Sequence, residues 1–400
     1  MIKLAVDIHL TSFFDCSAVL KPYLLKYLTD AASDTRRAYH GTAQVCLQNL
    51  KKTLKYGGRK HLLSAKEIEA ITLGKNLKRQ LYHLPGGHKK VVNTTSVSVV
   101  EEIVAQLCCE LNLRSTQEQL EFCLAHIIES ENVMKLLAGG EYVLDITTEL
   151  ESQKKDFFLL LKRTVWIHPL RRDNALYIDV MFFQLVPDYL EGLLVTMTSE
   201  GSVSAGSMDA IARLATLYSR RTHLASNVGQ LIPKIVENIV SVSREDWVER
   251  IQRRLDSLPA QLSPTEARAA FLGILEEWPL FGSTFFFLPS VSDGRIRGES
   301  LLAINKAGLQ FLNILTHKVE LSVPLEEVSS THRVTTGPPT GGSQLQFLDL
   351  KTAKGSVITL QTEQGSEISR LLGQYIAVDE LYKSYKPQAK PERASPFQAH

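Results

Sequence analysis

Ser263-Pro264-Thr265-Glu266 begins, and Trp278-Pro279-Leu280-Phe281-Gly282-Ser283 ends, the stretch on which the reading of this 400-residue chain turns. A serine N-cap, a proline at the first helical position and a matching glutamate satisfy the orphan backbone donors of a helix start. Phe271, Ile274, Leu275 and Trp278 follow at helical intervals. Before this stretch, apolar residues recur at helical spacing; after it they fall into short runs separated by Gly, Asn or Pro. The stretch therefore closes a helical region and opens a strand-rich one.

Downstream, seven strands are expected at 284–288, 300–304, 308–312, 319–323, 327–334, 345–350 and 357–360. A helix with Ile368, Leu371, Leu372, Tyr375 and Ile376 on one stripe closes them, which predicts a pleckstrin-homology-like sandwich capped at one corner. Residues 387–400, rich in Pro, Ala, Lys and Gln, are expected to be disordered. Upstream, Ile178, Met181, Phe182 and Leu185 share one helix face, Ile211, Ala215 and Tyr218 another, and Leu231, Ile235 and Ile239 a third.

Earlier still, residues 79–84, a turn at Pro85-Gly86-Gly87 and residues 89–94 read as a hairpin. Ser98-Val99-Val100-Glu101 reads as a capping box before a helix with Val100, Ile103, Val104, Leu107 and Leu111 on its apolar face. With further strands at 120–128 and 157–161, this is a sheet with one helix across it, as in ubiquitin. The first segment is helical: Val19, Leu20, Tyr23, Leu24, Tyr27 and Leu28, then Ala43, Cys46, Leu47, Leu50 and Leu54, with Gly57 and Gly58 as a stop. Ser64 and Glu67 form the capping box of a third helix.

Composition bounds the function. With 44% hydrophobic and 22% charged residues the chain buries sizeable cores, and its length suggests about two to four domains. No apolar run reaches the ~18 residues of a membrane span, and Met1–Leu10 carries Asp7 and no signal-peptide block, so the cytoplasm is the expected compartment. Cys16, Cys46, Cys108, Cys109 and Cys123 show no CxxC spacing, so buried free thiols are expected rather than a disulfide framework or zinc site. Neither a metal nor a cofactor is expected. No P-loop, GxSxG, HExxH or GxGxxG motif occurs, which argues against an enzyme. Gly201–Ser207 reads as a polar inter-helix loop and Gly337–Gly342 as a hairpin loop. Residues 1–86 hold 14 Lys and Arg against 6 Asp and Glu, a net of +8, while residues 87–386 hold 29 against 36, a net of −7. A basic first unit thus adjoins a larger acidic one.

Specific strings carry a resemblance. Leu20-Lys21-Pro22-Tyr23-Leu24, Cys46-Leu47-Gln48-Asn49-Leu50 and Arg79-Gln80-Leu81-Tyr82-His83-Leu84-Pro85-Gly86-Gly87 resemble the end of a myosin tail homology 4 (MyTH4) domain running into a FERM module. Trp278–Ser283 resembles the junction of the second and third FERM lobes, most like class XV unconventional myosins. The resemblance spans residues 13–385. It implies an α+β multidomain fold: a partial helical MyTH4 unit (1–77), then a three-lobed FERM module with ubiquitin-like (78–172), helical acyl-CoA-binding-like (173–279) and pleckstrin-homology-like (280–386) lobes, then the tail 387–400. It further implies a motorless, non-catalytic cargo or cytoskeletal adaptor, associated with the cytoskeleton and with actin-rich protrusions such as stereocilia.

Two binding sites are expected. In the last lobe, an edge strand with Ser329, Ser330, Thr331, His332 and Val334, beside a helix carrying Ile368, Leu371, Leu372 and Tyr375, forms a groove in which a cargo peptide adds a strand. In the first unit, Lys51, Lys52, Lys55, Arg59, Lys60, Lys75, Lys78 and Arg79 form a basic patch for a cytoskeletal partner or, in an alternative reading as a membrane-proximal scaffold, for anionic phosphoinositide lipid. No aromatic residues interleave these charges in a recognised module, so nucleic acid is not an expected partner.

Overall fold

The computed structural model describes residues 19–61, 64–73, 77–131, 133–198, 202–219, 228–239, 242–257, 262–336 and 345–385. The chain divides into two compact units, one comprising residues up to Arg114 with Phe122–Arg163 and Arg172–Pro187, the other Ser115–Glu121, Thr164–Arg171 and residues from Asp188 onward. Cys16, Lys75 and the segments 337–342 and 387–400 lie outside the described residues.

The first unit opens with helices α1 (Lys21–Ser33), α2 (His40–Tyr56) and α3 (Ala65–Thr72). Leu28, Cys46 and Leu50 bury the contact between α1 and α2. Gly57 ends α2 at φ +84°, its N–H donating to the Thr53 carbonyl, a left-handed position that glycine occupies without Cβ strain. The Ser64 box forms in both directions: Glu67 N–H donates to Ser64 Oγ at 3.2 Å, and Ser64 N–H to Glu67 Oε2 at 2.9 Å. Strands β1 (Lys78–Leu84) and β2 (His88–Thr94) form the expected hairpin. They are followed by α4 (Val100–Glu110), β3 (Phe122–Ile128), β4 (Val133–Leu136), α5 (Val143–Ser152), β5 (Phe158–Arg163) and α6 (Ala175–Glu191), whose residues through Pro187 belong to this unit.

The sheet order is β2-β1-β5-β3-β4, with β1 and β5 parallel and the other neighbours antiparallel. Val100, Ile103, Val104 and Leu107 of α4 are buried, as are Tyr82, Leu84, Leu124, Leu159 and Leu161 on the strands. The capping box expected at Ser98 is displaced by one residue. Val99 is the N-cap, Glu102 reaches back to its N–H at 3.4 Å, and Ser98 Oγ instead accepts from Thr95 N–H. Sequence reading passed over β4 and α5, which are short and interrupted by polar residues.

In the second unit, helices α7 (Ala205–Ser219), α8 (Lys234–Ile239) and α9 (Arg244–Ser257) share a core that includes Ile211, Ala215, Leu231, Val236, Trp247 and Ile251, and α10 (Pro264–Leu275) meets α7 through the rings of Phe271 and Tyr218, 6.3 Å apart. The capping box of α10 forms, Glu266 N–H to Ser263 Oγ at 3.2 Å and Ser263 N–H to Glu266 Oε2 at 2.8 Å. Trp278 follows the helix rather than ending it, its N–H donating to the Leu275 carbonyl. Gly282 lies at φ +67°, where a Cβ would stand 2.5 Å from Trp166 Cγ. The Trp278–Ser283 string therefore needs glycine for both backbone conformation and space.

Strands β6 (Thr284–Leu288), β7 (Ser290–Val291), β8 (Ser300–Asn305), β9 (Gly308–Asn313), β10 (Val319–Val323), β11 (Val328–Thr336), β12 (Leu345–Thr352) and β13 (Val357–Gln361) precede the closing helix α11 (Gly365–Tyr385). They form two four-stranded sheets, β10-β9-β8-β6 and β11-β12-β13-β7. Their inner faces and α11 share one core, including Phe286, Leu302, Phe311, Leu350 and Leu360. The short β7 is the strand the sequence did not suggest. Of the cysteines, Cys46, Cys108 and Cys123 are buried and Cys109 is exposed.

Candidate functional site: the β11 edge and the basic residues

Among the described residues, β11 is the outer strand of its sheet, paired antiparallel with β12 and with no other strand. The pairing skips one residue between Val328 and Ser330, which makes Ser329 a bulge, and bulges commonly interrupt or bend an edge strand. Ser329, Ser330 and His332 are exposed, and Thr331 and Val334 half-buried. An edge strand turns alternate N–H and C=O groups away from its neighbour, so an extended peptide can continue the ladder there.

The helix half of the expected groove needs correction. Ile368, Leu371, Leu372 and Tyr375 are all buried, each at 3% exposure or less, inside the core shared by the two sheets. Tyr375 also donates its hydroxyl to the Thr164 carbonyl at 3.1 Å. The stripe seen in the sequence is the face by which the helix packs. The start of α11 nonetheless lies against β11 and β12, since a Cβ on Gly365 would come 3.7 Å from Arg333 Cγ and 3.5 Å from Leu348 Cβ. On the same flank of the helix, at turns of about 3.6 residues, come Ser369, Gly373 and Ile376, half-buried or exposed.

The basic patch is dispersed. Arg59 is fully buried as a side chain: its Nε donates to Asp145 Oδ1 at 2.6 Å and its Nη1 to Glu67 Oε1 at 2.7 Å. Asp145 Oδ2 also accepts the Lys60 N–H at 2.7 Å. Burial opposes the Arg59 charge, but the hydrogen bonds it donates to Glu67 and Asp145 outweigh it and hold the guanidinium pKa above its usual value. Arg59 thus joins the segment after α2 to α5 as an internal strut.

Lys52 pairs with Glu102 at 2.7 Å and donates to the Val97 carbonyl, Lys55 pairs with Glu101 at 3.1 Å, and Lys78 with Glu151 at 3.1 Å. Tyr56 donates its hydroxyl to Glu101 and lies beside Lys55, whose pKa the Tyr56 and Glu101 hydrogen bonds raise. Lys60 is exposed and stands 3.8 Å from Glu141. Lys51 and Arg79 are exposed without an ion pair among the described residues. Apart from Glu67, 8 positions after Arg59, the acidic partners of the paired basic residues lie 46 to 86 positions later, which no spacing rule exposes.

A buried acid elsewhere is structural: Glu121 Oε1 accepts the backbone N–H groups of Ile167 and His168 at 2.9 and 2.7 Å and faces His168 Nδ1 at 2.8 Å. Among the described residues, no group of three His, Cys, Asp or Glu side chains could hold a metal ion, and no helix is long and apolar enough to cross a membrane.

Comparison with known proteins agrees with this architecture. The MyTH4 domain family model matches residues 8–70 and the FERM central domain model residues 168–286. Human unconventional myosin-XV is 32% identical over 374 residues, 92% of this chain and 10% of the myosin; human unconventional myosin-XVB is 29% identical over 340 residues, 82% and 10%. The chain therefore spans about a tenth of the length of these relatives. Among solved structures, the human myosin 7b C-terminal MyTH4-FERM domain in complex with the harmonin-a PDZ3 domain superimposes with TM-score 0.64 at 20% identity, covering 94% of this chain and 74% of that one. The Dictyostelium discoideum myosin VII MyTH4-FERM MF1 domain gives 0.64 at 16%, covering 96% and 75%. In fold and in sequence, the chain belongs with the MyTH4–FERM tail modules of unconventional myosins and resembles those of class XV.

Proposed function

We propose that the chain is a partner-binding tail module, catalysing no reaction, that holds segments of cargo or cytoskeletal proteins and acts among actin-based structures. The observation that carries this reading is the exposed outer edge of β11, which pairs with no strand beyond β12 among the described residues. Main-chain hydrogen bonds along such an edge give affinity, and side-chain contacts beside it give selectivity. Ser330, Thr331, His332 and Val334 would line the added strand, and Ser369, Gly373 and Ile376 the helix side; Ile368, Leu371, Leu372 and Tyr375 would support the groove from within. The myosin 7b relative carries a PDZ-domain partner, which supports protein rather than small-molecule ligands. The pairing of Lys52, Lys55, Arg59 and Lys78 with carboxylates removes much of the support for the lipid alternative.

The test is to select peptides against the purified chain from a library of extended sequences and map them by hydrogen–deuterium exchange. Slowed exchange across 328–336, together with weaker binding by Ile376→Glu, is the expected result. Protection confined to other segments would refute the groove. Ile376 replaces the more obvious Leu372 because a charge at buried Leu372 would unfold the lobe.

A further inference from the structure

The strand register of the first unit brings five residues into one line. Val91 pairs with Leu81, Phe158 with Ile127 and Ile127 with Met134, and the parallel β1–β5 pair, fixed at His83 and Leu160, sets Leu81 beside Phe158. The row Val91-Leu81-Phe158-Ile127-Met134 thus crosses every strand of the sheet on the face opposite the buried Tyr82, Leu124 and Leu159. Alternation puts Leu160 on that same face, and the His83 and Phe158 rings, 4.9 Å apart, confirm the shared side. The row is open: Val91 is 51% exposed, Met134 42% and Leu81 39%, with Phe158, Ile127 and Leu160 partly so. Scattered exposed apolar residues are ordinary, but a contiguous apolar row marks an interaction surface.

Its dimensions and charges point to an occupant. Five strands spaced by about 4.8 Å span about 19 Å, the length of a helix of about 13 residues. Lys89, paired with His83, and Arg79 flank the β1–β2 end, whereas Glu129 follows β3 at the other; of the remaining charges nearby, Lys162 points toward Met134 and Glu131 is paired with Lys155. Burial, then Lys89, lowers the His83 pKa, while Glu129 opposes the shift, which places both charges within electrostatic reach of this face. A helix carries partial positive charge at its N-terminus and negative at its C-terminus.

We propose that this face binds an amphipathic helix of a protein partner, laid across the strands with its acidic C-terminal turn over Arg79 and Lys89. The surface is additional to the β11 edge and does not depend on it.

The probe is a synthetic helical peptide of about 14 residues, with leucines on one stripe and glutamates in its last turn, titrated into the full chain with methyl-labelled Ile, Leu, Val and Met. Shifts should concentrate on the methyls of Leu81, Val91, Ile127, Met134 and Leu160. Leu81→Asp should weaken binding about tenfold or more, and moving the glutamates to the first turn should weaken it by about two- to fivefold. Ile376→Glu should leave both measurements unchanged. Because Leu81 and Val91 are exposed, Leu81→Asp and Val91→Lys should keep the native circular dichroism. Unchanged affinity in both folded variants, or shifts centred elsewhere, would overturn the proposal. So would a concentration-dependent dimer in sedimentation that Leu81→Asp abolishes, since the row would then belong to a second copy.

Discussion

Replacing Arg59 by methionine removes the guanidinium that bridges Asp145 and Glu67 while keeping a side chain of similar length. Arg59 is wholly buried and Asp145 nearly so, at 8% side-chain exposure. The variant leaves Asp145 accepting the Lys60 N–H at Oδ2 with no cation opposite Oδ1. Breaking a buried pair in this way costs about 3–5 kcal/mol, mainly because the stranded charge stays desolvated. For a cooperative unit of about 150–250 residues, about 2–4 °C per kcal/mol translates that into a melting shift of about 6–20 °C. Arg59→Lys keeps the charge but loses the two-pronged geometry, and should fall between the two. The assay is native-state hydrogen exchange read separately on α2, α5 and α10, because a chain of two compact units need not melt in one step. Faster opening of α2 and α5 with α10 unchanged is the expected pattern. A loss under about 1 kcal/mol would place Arg59 in the class of exposed surface pairs and refute its role as a strut.

Gly282→Ala should destabilise the second unit by about 2–5 kcal/mol, combining a positive φ with overpacking against Trp166, as measured by thermal melting of that unit. Ser263→Ala removes the acceptor at the start of α10 and should cost about 0.5–2 kcal/mol in urea titration. Burial lowers the pKa of His317 despite hydrogen bonds to the backbone of Val195 and Gly192. The folded state therefore resists protonation, so stability is fully present above about pH 6.5 and declines as pH falls below it. His317→Asn, suited to the φ of +50°, should flatten that acid limb in melts from pH 7 to 5.

Local signals were legible wherever one segment decided the outcome. The boxes at Ser64 and Ser263, the stop at Gly57 and the hairpin at Pro85-Gly86-Gly87 each satisfy backbone groups within a few residues, so spacing alone revealed them. Helix α9 escaped although Trp247 and Ile251 are buried, because charged residues crowd its apolar positions. Long-range partners were not legible: Asp145 lies 86 residues from Arg59. The same limit hid the apolar row, since alternation marks the faces of each strand but only the register shows which faces join. The stripe of α11 was read correctly as apolar and wrongly as lining a groove, because periodicity identifies a buried face without saying what buries it.

The composition of β11 bears on how such a protein behaves when crowded. A bare strand edge invites the same strand of another molecule, and long apolar edges lead to aggregates. Here the strand reads Val328-Ser329-Ser330-Thr331-His332-Arg333-Val334-Thr335-Thr336, with a bulge at Ser329 near its start. Two copies pairing antiparallel about His332 would bring their Arg333 side chains close together and bury little apolar area in return. An edge of this composition thus discourages pairing with its own kind, which would keep the chain dispersed at high concentration.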